Sequence, residues 1–268
     1  MVSLRIAFLF TALISVFSAA IATPPARDDI SDRVGASAGD FRVDESGAAT
    51  YSMPIYTVPG TAGVAPSISV SYSSNTGESS MGKGWAMSGA SAITRCRATR
   101  ESGDFLDTSN QPLDGFSDPI NFTSTDKFCL DGQRLMAELN SSGTVVANTY
   151  RLELDAYTRV LAIFDATPAN GPRGFRVQRR DGSTAWYGDF NGCTVSGQQC
   201  TATRSANRTD ALILANTLDA NCATILRTAA SAWALNRSYD SAGNFIDYLY
   251  TNDSLNGEFY LTSINFTG

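Results

Sequence analysis

The stretch from residue 53 to residue 95 constrains the fold more than any other part of the chain. Ile68, Val70 and Tyr72 alternate with serines over residues 67–73. Strict alternation of apolar and polar side chains is typical of a strand with one face on a core and the other in water. Prolines punctuate the sequence before this strand, and glycines punctuate the sequence after it. The stretch therefore predicts a half-buried strand between tight turns.

A glycine-rich loop follows this strand and leads to Trp85. Gly82 and Gly84 stand just before the tryptophan, in the order Gly-Lys-Gly-Trp. A large indole beside glycines usually packs into a core against tightly turning backbone, since glycine adopts conformations that other residues avoid. We therefore expect Trp85 to be a structural anchor. Stacking against a sugar or another ligand is the alternative.

The composition extends this picture to the whole chain, because its 268 residues include only 17% charged side chains against 43% hydrophobic ones. Low charge with many small polar residues suits short strands and turns better than helices, which favour Ala, Leu, Glu and Lys. We predict an all-β fold of mostly antiparallel hairpins. One short helix is expected over residues 209–220, where Asp210 can cap a first turn ahead of an apolar run.

Aspartate and glycine together mark the predicted turns. Asp131-Gly132 stands between two apolar segments and predicts a hairpin, because both residues tolerate the positive φ angles that a two-residue turn requires. Asp240 precedes Gly243 in a similar polar stretch. An aspartate in such a position is a turn former far more often than a catalytic acid. We therefore interpret these four residues as structural.

The last predicted strand, over residues 259–266, has no closing turn or partner strand after it. Natural proteins avoid uncovered sheet edges, because such edges pair with other chains. We therefore expect an incomplete sheet at the C-terminus. The chain is then either one piece of something longer or a protein that needs a partner to cover this edge.

Residues 1–22 are predicted to be a signal peptide. Arg5 supplies a positive start, an apolar run follows over residues 6–20, and Ala20-Ile21-Ala22 matches the small-x-small cleavage pattern. The apolar run is shorter than the roughly 20 residues of a membrane span. We therefore predict export and no stable membrane span, with residues 23–46 as a polar lead-in and residues 47–268 as a β-rich domain.

Export makes the five cysteines candidates for disulfides. Cys193 and Cys200 bracket a short loop, and closing such a loop stabilises a protein by roughly 2.5 kcal/mol in the chain-entropy model. Cys96 and Cys129 are the next plausible pair. Cys222 is left over, either as a buried apolar side chain or for an intermolecular bond.

The sequence excludes several kinds of chemistry. It contains no histidine, which removes Ser-His-Asp and Cys-His catalysis and the usual zinc ligand sets. The net charge is −6 without a long basic run, so a nucleic-acid partner is disfavoured. We assign no catalytic, cofactor-binding or metal-binding residue and expect no enzyme. A carboxylate-based enzyme stays the less favoured possibility, because its signature is the spacing of two acids in the fold.

With these residues in view, the chain resembles the SpvB-type N-terminal region of secreted bacterial toxin-complex B components and plasmid virulence proteins, a region that also heads many Rhs/YD-repeat proteins. The resemblance runs from about residue 47 to residue 268. It departs from the family pattern at Gly77-Glu78-Ser79, where the family tends to read Gly-Asn-Gly. The matching motifs are Gly63-Val64-Ala65-Pro66, Gly82-Lys83-Gly84-Trp85, Phe128-Cys129-Leu130-Asp131-Gly132-Gln133-Arg134-Leu135, Trp233-x-Leu235 and Tyr239-Asp240 with Gly243.

The resemblance implies a non-enzymatic structural module of a secreted, virulence-associated shell or delivery apparatus. Its partner would be the remainder of a Rhs or toxin-complex protein, or another shell component. In family members a β-propeller, YD-repeat arrays and a toxic C-terminus follow this region, so no toxic activity carries over to this sequence. The alternative is a secreted adhesin or carbohydrate-binding module that uses Trp186, Tyr187, Tyr248 and Tyr250.

Overall fold

The described part of the chain consists of β-strands in three sheets, of four, thirteen and two strands. The described residues contain no helix beyond one 3-10 turn at Thr61–Gly63, so the all-β prediction is confirmed. The predicted signal peptide, Cys222 and most of the lead-in lie outside the described residues. All described residues belong to one compact unit, Ala38–Gly268. The computed structural model describes residues 39–79, 81–100, 117–122, 126–165, 171–190, 193–200, 211–218, 224–253 and 258–266.

The small sheet contains the alternating strand that the sequence predicts. Its strands follow each other in chain order and are all antiparallel. Pro54 is tolerated in the second strand because the first strand pairs only as far as Ser52, which leaves one neighbour at the proline. The strands are β1 (Asp40–Val43), β2 (Ala49–Ile55), β3 (Ile68–Ser73) and β4 (Trp85–Ser88).

The large sheet closes on itself as an eight-stranded antiparallel barrel. The strands outside the small sheet are β5 (Ala92–Cys96), β6 (Ala98–Thr99), β7 (Ser117–Asp118), β8 (Lys127–Leu130), β9 (Gln133–Leu139), β10 (Val145–Leu152), β11 (Arg159–Asp165), β12 (Gly174–Gln178), β13 (Thr184–Gly188), β14 (Val195–Ser196), β15 (Gln199–Cys200), β16 (Leu212–Leu218), β17 (Thr224–Tyr239), β18 (Phe245–Asp253) and β19 (Glu258–Phe266). Around the barrel the strand order is β10-β9-β8-β5-β17-β13-β12-β11, and β11 pairs back to β10.

β17 joins the barrel to its extensions. The first part of this strand, Thr224–Trp233, pairs with β16, and Ala232–Ala234 pairs with β5. Its last residues pair with β13 and β18. β18 continues into an antiparallel hairpin with β19. Among the described strands, none pairs with the outer edge of β19.

The predicted helix over residues 209–220 is wrong where the structure describes it. Leu212–Leu218 forms β16, which pairs antiparallel with β17. Leu212 lies opposite Trp233 and is fully buried, so the packing of this strand outweighs the local signal from an aspartate cap.

Three aromatic rings fill the centre of the barrel. Phe128, Phe175 and Trp233 meet edge to face, with ring centroids 5.0–5.4 Å apart. Trp233 is completely buried, and its indole N–H donates to the carbonyl of Pro172 at 3.0 Å. This partner satisfies the polar end of the indole, so the ring can lie in the core without an unpaired donor.

A buried ion pair lies beside these rings. The Arg95 guanidinium donates to Asp126 at 2.9 Å and to the carbonyl of Ala230 at 2.6 Å. Both charged side chains are only 1% exposed. Burial lowers the pKa of Arg95 from its ordinary value, and the Asp126 carboxylate opposes that shift. The arginine therefore remains a buried cation whose charge depends on Asp126 for compensation.

We expect Asp126→Ala to destabilise the protein by about 3–5 kcal/mol, because it leaves a buried cation without its counter-charge. Glu138→Ala is the matched control, since Glu138 pairs with Arg151 and Arg159 at the partly exposed surface of the barrel. The control should cost about 1 kcal/mol or less. Urea unfolding of both variants measures the difference, and equal losses would contradict the assignment.

Candidate assembly surface

Alternation along β1 to β4 divides the small sheet into an apolar face and a polar face. Because successive side chains point to opposite sides of a strand, the pairing register places every large apolar side chain of these strands on one side. We call this side the apolar sheet face. It consists of Phe41, Val43, Ala49, Tyr51, Met53, Ile55, Ile68, Val70, Tyr72, Trp85 and Met87.

A row of aromatic residues crosses the apolar sheet face from edge to edge. Phe41 lies opposite Tyr51, Tyr51 lies opposite Tyr72, and Tyr72 lies opposite Trp85. The rings of Tyr72 and Trp85 are 5.3 Å apart at a tilt of 55°. Cross-strand aromatic pairs contribute roughly 0.2–1 kcal/mol each. The row therefore helps to fix the register of all four strands.

The apolar sheet face is only partly buried. Phe41 is 65% exposed, Val43 63% and Ile55 47%, while the other members are half-buried. Within the described residues, the hydrophobic core of the barrel includes no side chain from β1 to β4. An apolar face of this kind normally lies against a second layer of structure. Its exposure makes it the candidate functional surface of the chain.

The glycine loop shapes one end of this face. Gly82 and Gly84 both have positive φ angles, 99° and 82°. A Cβ atom on Gly84 would lie 2.5 Å from Cε2 of Tyr72, whereas one on Gly82 would meet nothing within 4 Å. Gly84 is therefore required by close contact with the aromatic row as well as by its backbone conformation.

Trp85 lies on the apolar sheet face, which corrects the expectation that it packs into a core. β4, the strand that it begins, pairs with β3 and not with a barrel strand. The indole is half-buried against Tyr72. The local glycines indicate a tight turn correctly, but they carry no information on which sheet the next strand joins.

Asp131 and Gly132 form the predicted hairpin turn between β8 and β9. Both have positive φ angles, 49° and 83°, which confirms the hairpin prediction. The Asp131 carboxylate also accepts hydrogen bonds from the hydroxyl of Ser91 at 2.6 Å and from the backbone N–H of Ala92 at 2.9 Å. The aspartate therefore anchors the turn to the start of β5.

Asp240 and Gly243 form the turn between β17 and β18. The Asp240 carboxylate accepts hydrogen bonds from the backbone N–H groups of Ala242 and Asn244 and from the side-chain amide of Asn244, at 2.7–2.9 Å. These bonds, the side-chain bond of Asn244 first among them, hold the pKa of Asp240 below its ordinary value. The carboxylate is thus engaged in closing a turn.

The structure contains two disulfides in its described residues. Cys96 and Cys129 join the paired strands β5 and β8, and Cys193 and Cys200 close the β14–β15 hairpin, with Cα atoms 5.9 Å and 5.6 Å apart. A cavity of about 390 Å³ adjoins the first disulfide, with Arg97, Arg134 and Glu153 in its wall. Sequence reasoning did not find this cavity, because its wall combines residues from separate strands and turns.

The aromatic residues proposed for carbohydrate binding separate into two groups. Tyr187, Tyr248 and Tyr250 are at most 7% exposed and belong to the barrel core. Trp186 alone is partly exposed, with the guanidinium of Arg176 at 5.6 Å from its ring. The adhesin alternative therefore loses three of the four residues on which it rests.

The described residues show no cluster of three or more side chains suited to hold a metal ion. In the same ranges, no helix has both the length and the apolar character that crossing a membrane requires.

Comparison with known families identifies the chain. The family model described as Salmonella virulence plasmid 65kDa B protein, SpvB, matches residues 43–260. This range covers more than half of the sequence. The chain belongs to the SpvB family. No curated protein matches the sequence.

Solved structures share the fold of this SpvB-family chain. The crystal structure of TcdB2-TccC3 matches 85% of the chain with a TM-score of 0.52 at 18% identity. A structure of the Photorhabdus luminescens Tc holotoxin pore matches 86% with a TM-score of 0.50 at 17% identity. The chain spans only 10% of the length of each of these. The N-terminal domain of SpvB from Salmonella typhimurium strain LT2 matches 80% of the chain and 64% of its own length, with a TM-score of 0.46 at 15% identity.

We expect Gly84→Ala to destabilise the protein by about 2–3 kcal/mol, since it adds a clash with Tyr72 to the cost of a positive φ angle. Gly82→Ala is the matched control, because it carries only the backbone cost of about 1 kcal/mol. Thermal unfolding of both variants tests this difference. If the two substitutions lower the midpoint equally, Gly84 is not held by the aromatic row.

Proposed function

We propose that this SpvB-family chain is a non-enzymatic structural module of a secreted, virulence-associated toxin complex or Rhs-type shell. The observation that carries the proposal is the apolar sheet face, which is exposed at Phe41, Val43 and Ile55, in a chain whose barrel has a filled interior. The largest apolar patch on a protein surface is often a contact surface for a partner.

The barrel supports this proposal as a rigid scaffold. Phe128, Phe175 and Trp233 occupy its centre, as expected for a small barrel whose interior holds side chains. The disulfide between β5 and β8 adds a covalent cross-link to two neighbouring barrel strands. Such a body can hold a docking surface in a fixed orientation.

The buried carboxylates favour a structural role over acid-base chemistry. Asp126 pairs with Arg95, and Asp189 pairs with Arg173. Arg173 also contacts Asp165 at 3.0 Å. A pair of catalytic acids requires one carboxyl group whose proton is available at the site, whereas these carboxylates compensate buried cations.

The partner and the location follow from the same proposal. Solved structures with this fold belong to toxin complexes and are about ten times as long as the matched part. We propose that the chain is exported through residues 1–22. Outside the cell it joins the remainder of a toxin-complex or Rhs-type protein, or another shell component.

The test is the state of the chain in the culture medium of its native host. We expect a C-terminally tagged chain to appear in the medium without residues 1–22 and to elute in size-exclusion chromatography as part of a much larger particle. Mass spectrometry of that particle should identify a polypeptide of the toxin-complex or Rhs class. A tagged, unrelated secreted protein is the control. A chain that stays in the cell or elutes alone would contradict the proposed function.

A further inference from the structure

We propose that the apolar sheet face is a docking interface that packs against an apolar β-sheet layer of a larger toxin-complex polypeptide. This inference rests on the proposed function, and it names the surface through which the module joins the assembly. The row of Phe41, Tyr51, Tyr72 and Trp85 is the centre of that interface.

The composition of the face is that of a protein interface. Its central row is entirely aromatic, and the next row consists of Met53, Val70 and Met87. Aromatic residues and methionine are enriched in interface cores, while charged residues are depleted there. The opposite side of the same strands carries Arg42 and serines such as Ser71, so only one side is suited to a dry contact.

The rim of the face favours a protein partner over a lipid or nucleic-acid surface. The turns at one end of the sheet carry Glu45, Glu78 and Lys83, all exposed. A hydrogen bond from the side-chain amide of Asn75 to the hydroxyl of Ser46 ties two of these turns together. Charges of both signs around an apolar centre suit a polar protein rim, whereas an anionic membrane or a nucleic acid attracts an excess of Lys and Arg.

The size of the face argues for a partner within a larger assembly rather than a second copy. Four strands about 4.8 Å apart and roughly 20 Å long give a face of about 400 Å², or about 800 Å² for both partners. Stable complexes of separate proteins bury roughly 1,200–2,000 Å². Interfaces between domains of one chain bury roughly 600–1,500 Å². The apolar sheet face therefore has the size of one contact among several within an assembly, comparable to the contact between two domains.

A long polypeptide supplies the partner that such a small face requires. The chain matches only 10% of the length of the TcdB2-TccC3 chain, so in that protein the same fold belongs to a polypeptide with many further residues. A partner that other contacts of the assembly already hold in place acts at a high effective concentration, which compensates for a small contact area. Sheets packed face to face lie about 10 Å apart with interlocked side chains. An aromatic row on a sheet suits this kind of partner.

The experiment is site-specific photo-crosslinking in the native host. One variant carries p-benzoylphenylalanine in place of Phe41, which is 65% exposed on an outer strand and therefore tolerates replacement. The matched control carries the same group in place of Arg42, the next residue of that strand, on the polar face. We expect crosslinks from position 41, and at least tenfold fewer from position 42, to β-strand residues of a toxin-complex or Rhs-type polypeptide.

Other crosslink products overturn the inference. Crosslinks from position 41 to a second copy of the chain would assign the face to a homodimer, and crosslinks to lipid would assign it to a membrane surface. Equal yields from positions 41 and 42 would mean that the face is not the docking surface. If the assembly forms but position 41 gives no product, the docking inference fails while the proposed function stands. If no assembly forms, the proposed function fails first.

A second pair of variants keeps the test independent of the crosslinker. Phe41→Ser combined with Val43→Ser should lower the amount of chain recovered in the assembly at least tenfold, while Arg42→Ser leaves it unchanged. Both substituted apolar side chains are more than 60% exposed, so the unfolding midpoint of the purified chain should stay nearly constant. Normal assembly of the double variant would contradict the inference.

Discussion

The packing around Trp233 is the interaction on which the described structure depends. The indole lies at the middle of β17, between the edges of Phe128 and Phe175 and beside the buried Arg95. From that position β17 pairs with four other strands, two within the barrel and two that extend it. The ring is fully buried, and its N–H donates a hydrogen bond to the carbonyl of Pro172. The centre of the barrel is therefore closely packed, and the indole leaves no unpaired donor in it.

The two principal sheets use their apolar residues in opposite ways. The barrel closes its sheet, buries its aromatic side chains and leaves charged groups such as Arg95 and Asp126 paired inside. The four-stranded sheet stays open, with Phe41 at one end of its aromatic row exposed and the other three rings half-buried. A closed barrel and an open sheet with a partly exposed apolar face in the same chain are consistent with a module whose sheet is covered by a layer of structure from a partner.

The sequence predicts the local features of this structure well and the non-local ones poorly. The alternating strand, the Asp131-Gly132 hairpin and the turn at Asp240 depend on neighbouring residues, so their patterns are readable. The strand at Leu212–Leu218 is misread as a helix because its conformation is set by pairing with β17, which no local pattern reveals. The aromatic row escapes notice for the same reason, since its members are contributed by four strands and meet only through the register of the sheet. Closure of the barrel between β10 and β11 likewise depends on the whole set of pairings.

Hydroxyl-radical footprinting tests most directly whether the apolar sheet face is covered in the working protein. The purified chain and the chain within the assembly proposed for it are oxidised under the same conditions, and the modification of Phe41, Trp85 and Met87 is measured by mass spectrometry. Tyr157, which is 68% exposed at the turn between β10 and β11, serves as the internal reference. We expect the three residues of the face to react readily in the purified chain and at least tenfold more slowly in the assembly, while Tyr157 changes little. Equal reactivity of the face in both states would contradict it.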